Sequence, residues 1–306
     1  MFAKASRYTT TLCLILTASV CFGSVEIPPM HYKLVEDFFK LPAGKNFGET
    51  PGVVVAPNGN IFVFTRGPDP IMEFDQNGNY LCGFGADIAP GAHGMRFDHH
   101  GNLWVTDVNT HVVLRLNKAG LATMVLGRQK RASEKDLEFN QPTDIAFGPN
   151  DEIFVADGYG NSRIVKYDKD GNFIKTWGTA GNGPGQFKTP HTIVVDGKRG
   201  RLYVGDRDNF RTQIFDLDGK LIEIWTDPGA PWGFELLEDG SLLMADGYAE
   251  RVVHVSPEGK PLGAFGTMGK IPGRFHFAHS IAIDKQGAIY VAEIQNWRVQ
   301  KFIPVR

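Results

Sequence analysis

The chain has 306 residues, 42% of them hydrophobic, and a formal net charge of −2 with no basic block. That balance excludes nucleic acid and anionic membrane surfaces as electrostatically steered partners. Three cysteines are too few for a disulfide-built scaffold.

At the N-terminus Lys4 and Arg7 precede an apolar run from Leu12 to Phe22, followed by the small residues Gly23 and Ser24. This is the layout of a signal peptide, expected over residues 1–23. The run is shorter than the roughly 20 apolar residues of a membrane span. A secreted or periplasmic protein with no membrane span is therefore expected. Val20 is a poor residue ahead of Cys21 for lipid attachment, which disfavours a lipoprotein reading. Cleavage removes Cys13 and Cys21 and leaves only Cys82, so no intrachain bridge can form. About 280 residues then have to bury enough apolar surface unaided, which a chain of that size does.

From residue 31 to 306 the sequence reads as one domain of repeats. The segment His31 to Phe39 (HYKLVEDFF) is strand-like and stands before the first unit without a partner of its own. Units follow at Val53 to Gly85, His93 to Gly127, Pro142 to Gly178, Pro190 to Trp225, Pro231 to Gly266 and Ala278 to Val305. In the third, β-rich runs at Asp144 to Phe147, Ile153 to Ala156, Arg163 to Tyr167 and Phe173 to Trp177 are separated by Gly, Asn, Asp and Pro. Six such units of four strands predict an all-β fold, a six-bladed β-propeller. The last unit supplies only three strands, so the N-terminal segment is expected to add its outermost strand and close the ring. The units resemble NHL repeats, in which a strand-ending Asp, a polar loop and an Arg recur, here as Asp157…Arg163, Asp206…Arg211 and Asp246…Arg251.

Alignment on the first strands places His93, His191 and His279 at one position in the second, fourth and sixth units, with Pro51, Thr143 and Trp232 near it in the others. First strands line a propeller's channel and alternate blades are about 120° apart, so the three imidazoles should converge on the axis. Three neutral imidazoles with an open fourth position suit zinc in a catalytic site. The alternative is that they fill the channel mouth and bond to backbone or water. The loops joining second to third strands carry Arg66, Tyr159, Arg207 and Tyr248 toward the same face, where they could supply a base and anion-binding groups. His276 stands three residues before His279 and is a candidate for a supporting role.

The stretches QPTDIAFGPNDEIFVADGYGNSRIVKYDKDGNFIKTWG, PGQFKTPHTIVVD, GNLWVTDV and FTRG resemble the peptidylamidoglycolate lyases, which split a peptidyl-α-hydroxyglycine into a peptide amide and glyoxylate. The resemblance implies zinc on His93, His191 and His279, a catalytic tyrosine at Tyr159, an active-site arginine at Arg66 and a further one at Arg207. It also implies a structural calcium on backbone oxygens of Val53 and Met95, but the family's carboxylate is Ser280 here. The family's methionine before the third histidine is Phe277, and its two disulfides are replaced by Asn140 with Gly160 and Tyr203 with Ile214. A monomeric zinc-dependent carbon–nitrogen lyase acting on a small molecule or peptide with an α-hydroxyglycine-like end is expected. The competing readings are a non-catalytic NHL binding module and a metal-dependent propeller acting on another small substrate. An all-histidine ligand set points away from a carboxylate-bound calcium lactonase.

Overall fold

Short strands follow from closely spaced turns whose side chains hydrogen-bond their own backbone. In the third unit Asp168 Oδ1 accepts from the N–H groups of Asp170 and Asn172 at 2.9 and 2.8 Å, and Gly171 sits at φ 83°. The motif forces a tight reversal, because the Asp side chain stands in for a backbone partner and Gly accepts the left-handed conformation. The computed structural model describes residues 27–305 except 87 and 136; the expected signal peptide over 1–23, with Cys13 and Cys21, lies outside the described residues.

The strands form six four-stranded antiparallel sheets arranged as a six-bladed propeller. First strands run at Gly52–Val55, Ala92–Phe97, Asp144–Phe147, Pro190–Asp196, Gly233–Leu236 and Ala278–Ile283, and define blades 1 to 6. Blade 6 is completed by Tyr32–Val35, which pairs with Arg298–Pro304 in the register Tyr32 to Pro304 and Val35 to Lys301. Ring closure by the N-terminal strand is therefore as expected from the unpaired segment. Phe38 and Phe39 continue from it and pack against the cluster of Phe47, Phe74 and Tyr290 between blades 6 and 1.

The core is a ring of seams rather than one centre. Each adjacent pair of blades shares an apolar cluster, such as Trp104 and Val113 of blade 2 with Ile145, Val155 and Tyr167 of blade 3. The Asp…Arg signature latches these seams. Arg163 Nε donates to Asp157 at 3.0 Å, and its Nη2 reaches the carbonyls of Lys135 and Glu138 in the segment leading into its own blade. Arg211 with Asp206 and Arg298 with Glu293 repeat the device, the latter with Glu in place of Asp, and Arg251 repeats the pairing with Asp246. The two residue pairs that the resemblance sets at disulfide positions are neighbours: Tyr203 and Ile214 are cross-strand partners, and Gly160 N–H donates to the Asn140 carbonyl at 2.9 Å. Cys82 is exposed and free.

Candidate metal centre

Because the first strands of all six blades run along the channel, residues at one repeat position meet there. His93, His191 and His279 do so, each at most 3% exposed, with every pair of rings 4.8 Å apart between centroids. Their candidate ligand nitrogens all lie within 4.8 Å of one another.

What aims them is the backbone of the intervening blades. His93 Nδ1 lies 2.6 Å from the Thr143 carbonyl, His191 Nδ1 2.7 Å from that of Trp232, and His279 Nδ1 2.6 Å from that of Pro51. A carbonyl only accepts, so each Nδ1 carries the proton and each Nε2 presents a lone pair to the axis. Thus the three blades lacking histidine at this position hold the three that have it. Gly94 is part of the arrangement: a Cβ there would stand 2.6 Å from the Thr143 oxygen and displace the carbonyl that orients His93.

Burial, the largest influence, drops His93 to about 3 and puts His191 and His279 well below the usual histidine range, so all three stay neutral. His279 Nε2 is buried with no hydrogen-bond partner. A buried acceptor left open is costly unless something else satisfies it, and three convergent imidazole lone pairs with fixed tautomers are the donor set that zinc takes. The residues fit a metal of that kind.

The hydroxyl of Tyr159 covers the open side, 3.0 Å from His93 Nε2 and 3.1 Å from His191 Nε2. The preceding Gly158 lets its loop pass blade 4 closely, since a Cβ there would collide with the Pro190 carbonyl. Arg207 Nη1 donates to the Tyr159 hydroxyl at 3.4 Å, and its guanidinium lies 4.4 Å over the Trp232 ring. Arg66 does not make that contact. It pairs with Glu49 at 2.8 Å and donates to the Ala92 carbonyl at 3.3 Å, so of the two arginines it is Arg207 that touches the phenol. Burial raises the Tyr159 pKa, while Arg207 and then Arg66 pull it down. Tyr248 is turned away to donate to Asp208 at 3.0 Å, and His276 lies 3.6 Å from Glu250. Glu250, not anticipated from the sequence, is buried and accepts from the N–H groups of Phe277 and Ala278 at 2.7 and 3.2 Å, fixing the approach to His279.

Deeper in the channel the residues do not fit calcium. Ser280 Oγ accepts from Val53 N–H at 3.4 Å, and among the described residues no acidic set of three converges near Val53 or Met95. The channel instead carries its own cation. Arg96, next to Met95, pairs with Asp144 at 2.9 Å and with Glu235 at 3.5 Å, and donates to the Phe234 carbonyl at 3.0 Å. A guanidinium in that place repels a dication.

The chain is 30% identical over 324 residues to mouse (Mus musculus) NHL repeat-containing protein 3, covering 95% of this chain and 92% of that one. It belongs to the NHL-repeat propeller family. A family model described as DUF5128: 6-bladed beta-propeller matches residues 133–232. This NHL propeller is also 32% identical over 307 residues to the peptidyl-glycine alpha-amidating monooxygenase A of Xenopus laevis, covering 84% of the chain but spanning only 32% of that protein. It is 32% identical over 197 residues to a probable peptidyl-alpha-hydroxyglycine alpha-amidating lyase of Caenorhabditis elegans, with 56% of each covered. Among solved structures, a streptogramin B lyase superposes with a TM-score of 0.65 at 18% identity, covering 90% of this chain and 98% of that one, which speaks for the fold.

Proposed function

We propose that this NHL propeller is a zinc-dependent lyase that splits an N-acyl- or peptidyl-α-hydroxyglycine into the amide and glyoxylate. The observation that carries the reading is the convergence of three Nε2 lone pairs under the Tyr159 hydroxyl, with Arg207 donating to that hydroxyl. Similarity to proteins named amidating lyases supports it.

His93, His191 and His279 would hold the metal. A bound zinc ion supplies Lewis acidity toward a hydroxyl oxygen and a positive field beside the phenol. Tyr159 is the base, acting as the phenolate once its own proton has passed to solvent: its oxygen takes the proton of the substrate's α-hydroxyl as the carbonyl of glyoxylate forms and the bond from Cα to the amide nitrogen breaks. The same proton then returns from Tyr159 to the departing amide nitrogen, so the reaction needs no outside acid. Arg207 stabilises the charged phenol, and Arg66 at the rim offers a cation to the substrate carboxylate by exchanging its Glu49 partner. Among the described residues no helix is long and apolar enough to cross a membrane, and the signal-like N-terminus supports work outside the cytoplasm.

The test is glyoxylate release from an N-acyl-α-hydroxyglycine by the zinc-loaded chain. Tyr159→Phe should slow it about 10² to 10⁴-fold, the usual cost of losing a positioned base. No turnover at full zinc occupancy removes the lyase reading. A binding propeller is the second reading, favoured by the near full-length match to NHL repeat-containing protein 3, whose name carries no reaction. It predicts a chain with no stoichiometric metal.

A further inference from the structure

One side of the site is aromatic from floor to rim. Trp232 holds the blade-5 position equivalent to the three histidines and packs against His191 and His279 with ring centroids 5.1 and 5.5 Å away. Phe277 and Tyr248 stand nearly perpendicular to it at 5.4 and 5.2 Å, and Phe210 continues from Tyr248 at 5.6 Å with the planes 30° apart. Exposure rises along the series, from 6% at Trp232 to 45% at Tyr248 and 55% at Phe210. The wall therefore starts against the candidate ligands and ends in solvent.

The wall is tied to the polar machinery. Tyr248 donates to Asp208, Asp208 accepts from Arg207 Nε and Nη2 at 2.8 and 3.2 Å, and Thr189 donates to its other oxygen at 2.7 Å. Glu250 fixes the backbone of Phe277. Aromatic rings held this way offer large contact area at small entropy cost, and an exposed apolar face beside polar groups marks a binding surface.

We propose that Trp232, Phe277, Tyr248 and Phe210 form the acyl subsite, selecting substrates whose group before the hydroxyglycine is aromatic or large and apolar. The inference rests on the lyase reading for its orientation. A substrate with its carboxylate on Arg66 and its hydroxyl under Tyr159 turns its acyl group away from the charged rim of Arg66 and Glu49 and toward the rings, where the Arg207 guanidinium lies over Trp232. Its amide nitrogen and carboxylate diverge from one carbon, so the two ends must occupy different walls.

Two pairs of probes test it on the full zinc-loaded chain. N-benzoyl-α-hydroxyglycine should exceed N-acetyl-α-hydroxyglycine in kcat/KM by about tenfold to a hundredfold, the discrimination expected when one ring is buried. Phe210→Ala should reduce that ratio at least about threefold, chiefly through the KM of the benzoyl substrate, whereas Phe210→Leu should keep more of it. Phe210 is exposed, so both variants should fold, and circular dichroism checks this. The unreactive N-benzoylglycine and N-acetylglycine, compared by calorimetry, read the subsite without turnover. Benzoyl preference in binding together with no glyoxylate from either hydroxyglycine would sink the lyase reading and uphold the subsite. Equal binding of the two acylglycines, or a preference unchanged by Phe210→Ala, overturns the subsite whether or not turnover occurs.

Discussion

Replacing Arg96 with Leu should destabilise the protein by about 3 kcal/mol, because it breaks a charge pair held out of water. The Arg96 and Asp144 side chains are 18% and 7% exposed, and removing one partner of such a pair typically costs about 3 to 5 kcal/mol. The lower end applies, since Asp144 keeps donors from Thr192 Oγ1 at 2.9 Å, Ile193 N–H at 3.1 Å and Ile145 N–H at 2.9 Å. Glu235 softens the loss further. It is pushed up to about 7, mainly by burial, and can take up a proton when its partner goes. Urea denaturation at pH 7.5 in a calcium chelator measures the cost. Expected are about 3 kcal/mol lost in urea, a melting temperature lower by roughly 5 to 10 °C in a thermal scan, and partial recovery in Arg96→Leu/Asp144→Asn, which removes the orphaned charge. A variant within about 0.5 kcal/mol of the parent, the range of an ordinary surface substitution, would refute the argument. So would a parent protein stabilised by added calcium, because the site would then be a metal site after all.

Three further outcomes are expected. The Glu235 carboxyl sits at about 7 folded against 4.5 as a free side chain, so its contribution is complete below about pH 4.5 and is lost as pH rises through 7. Glu235→Gln keeps the proton-like state, so between pH 5 and 8 the variant should gain on the parent by at most about 3 kcal/mol in urea melts. His279→Ala should lower zinc, measured by elemental analysis, from one per chain to well under a tenth while circular dichroism is retained, since the seams between blades carry the fold. Deleting residues 31–39 should remove the strand that completes blade 6 and cause aggregation visible in size-exclusion chromatography; a monomer of unchanged melting temperature would count against closure by that segment.

The repeat register made much of this readable in advance. The strands of blade 3 fall within one residue of the expected runs, since each is bounded by side-chain-capped turns. The three histidines were legible because a shared repeat position becomes a shared place on the axis. Their orienting carbonyls were not, because a backbone oxygen carries no residue signature, although Pro51, Thr143 and Trp232 mark where they lie. Arg96 with Asp144 and Glu235 escaped notice for a related reason: the three sit on the first strands of different blades and meet only across the channel. The resemblance implies an active-site arginine at Arg66 without fixing its partner, and Glu49, seventeen residues earlier and without a pattern of its own, draws it to the rim. The aromatic wall is assembled from single residues in three loops and the floor; Trp232, Tyr248 and Phe277 stand out in the sequence for separate reasons, and none of those reasons joins them to each other or to Phe210.

Closure by Tyr32–Val35 has a further consequence for how the chain reaches its native state. The strand made first must wait for the strand made last, so until Arg298–Pro304 is released the nascent ring carries an open edge. Ladders between such distant segments form slowly, although the entropy of closing the long loop grows only with the logarithm of its length. During that wait the leading strand of one copy fits the vacant edge of another as well as its own. Crowded refolding should therefore yield propellers linked by exchanged first strands, each ring complete and each joined to its neighbour by the segment leading into blade 1.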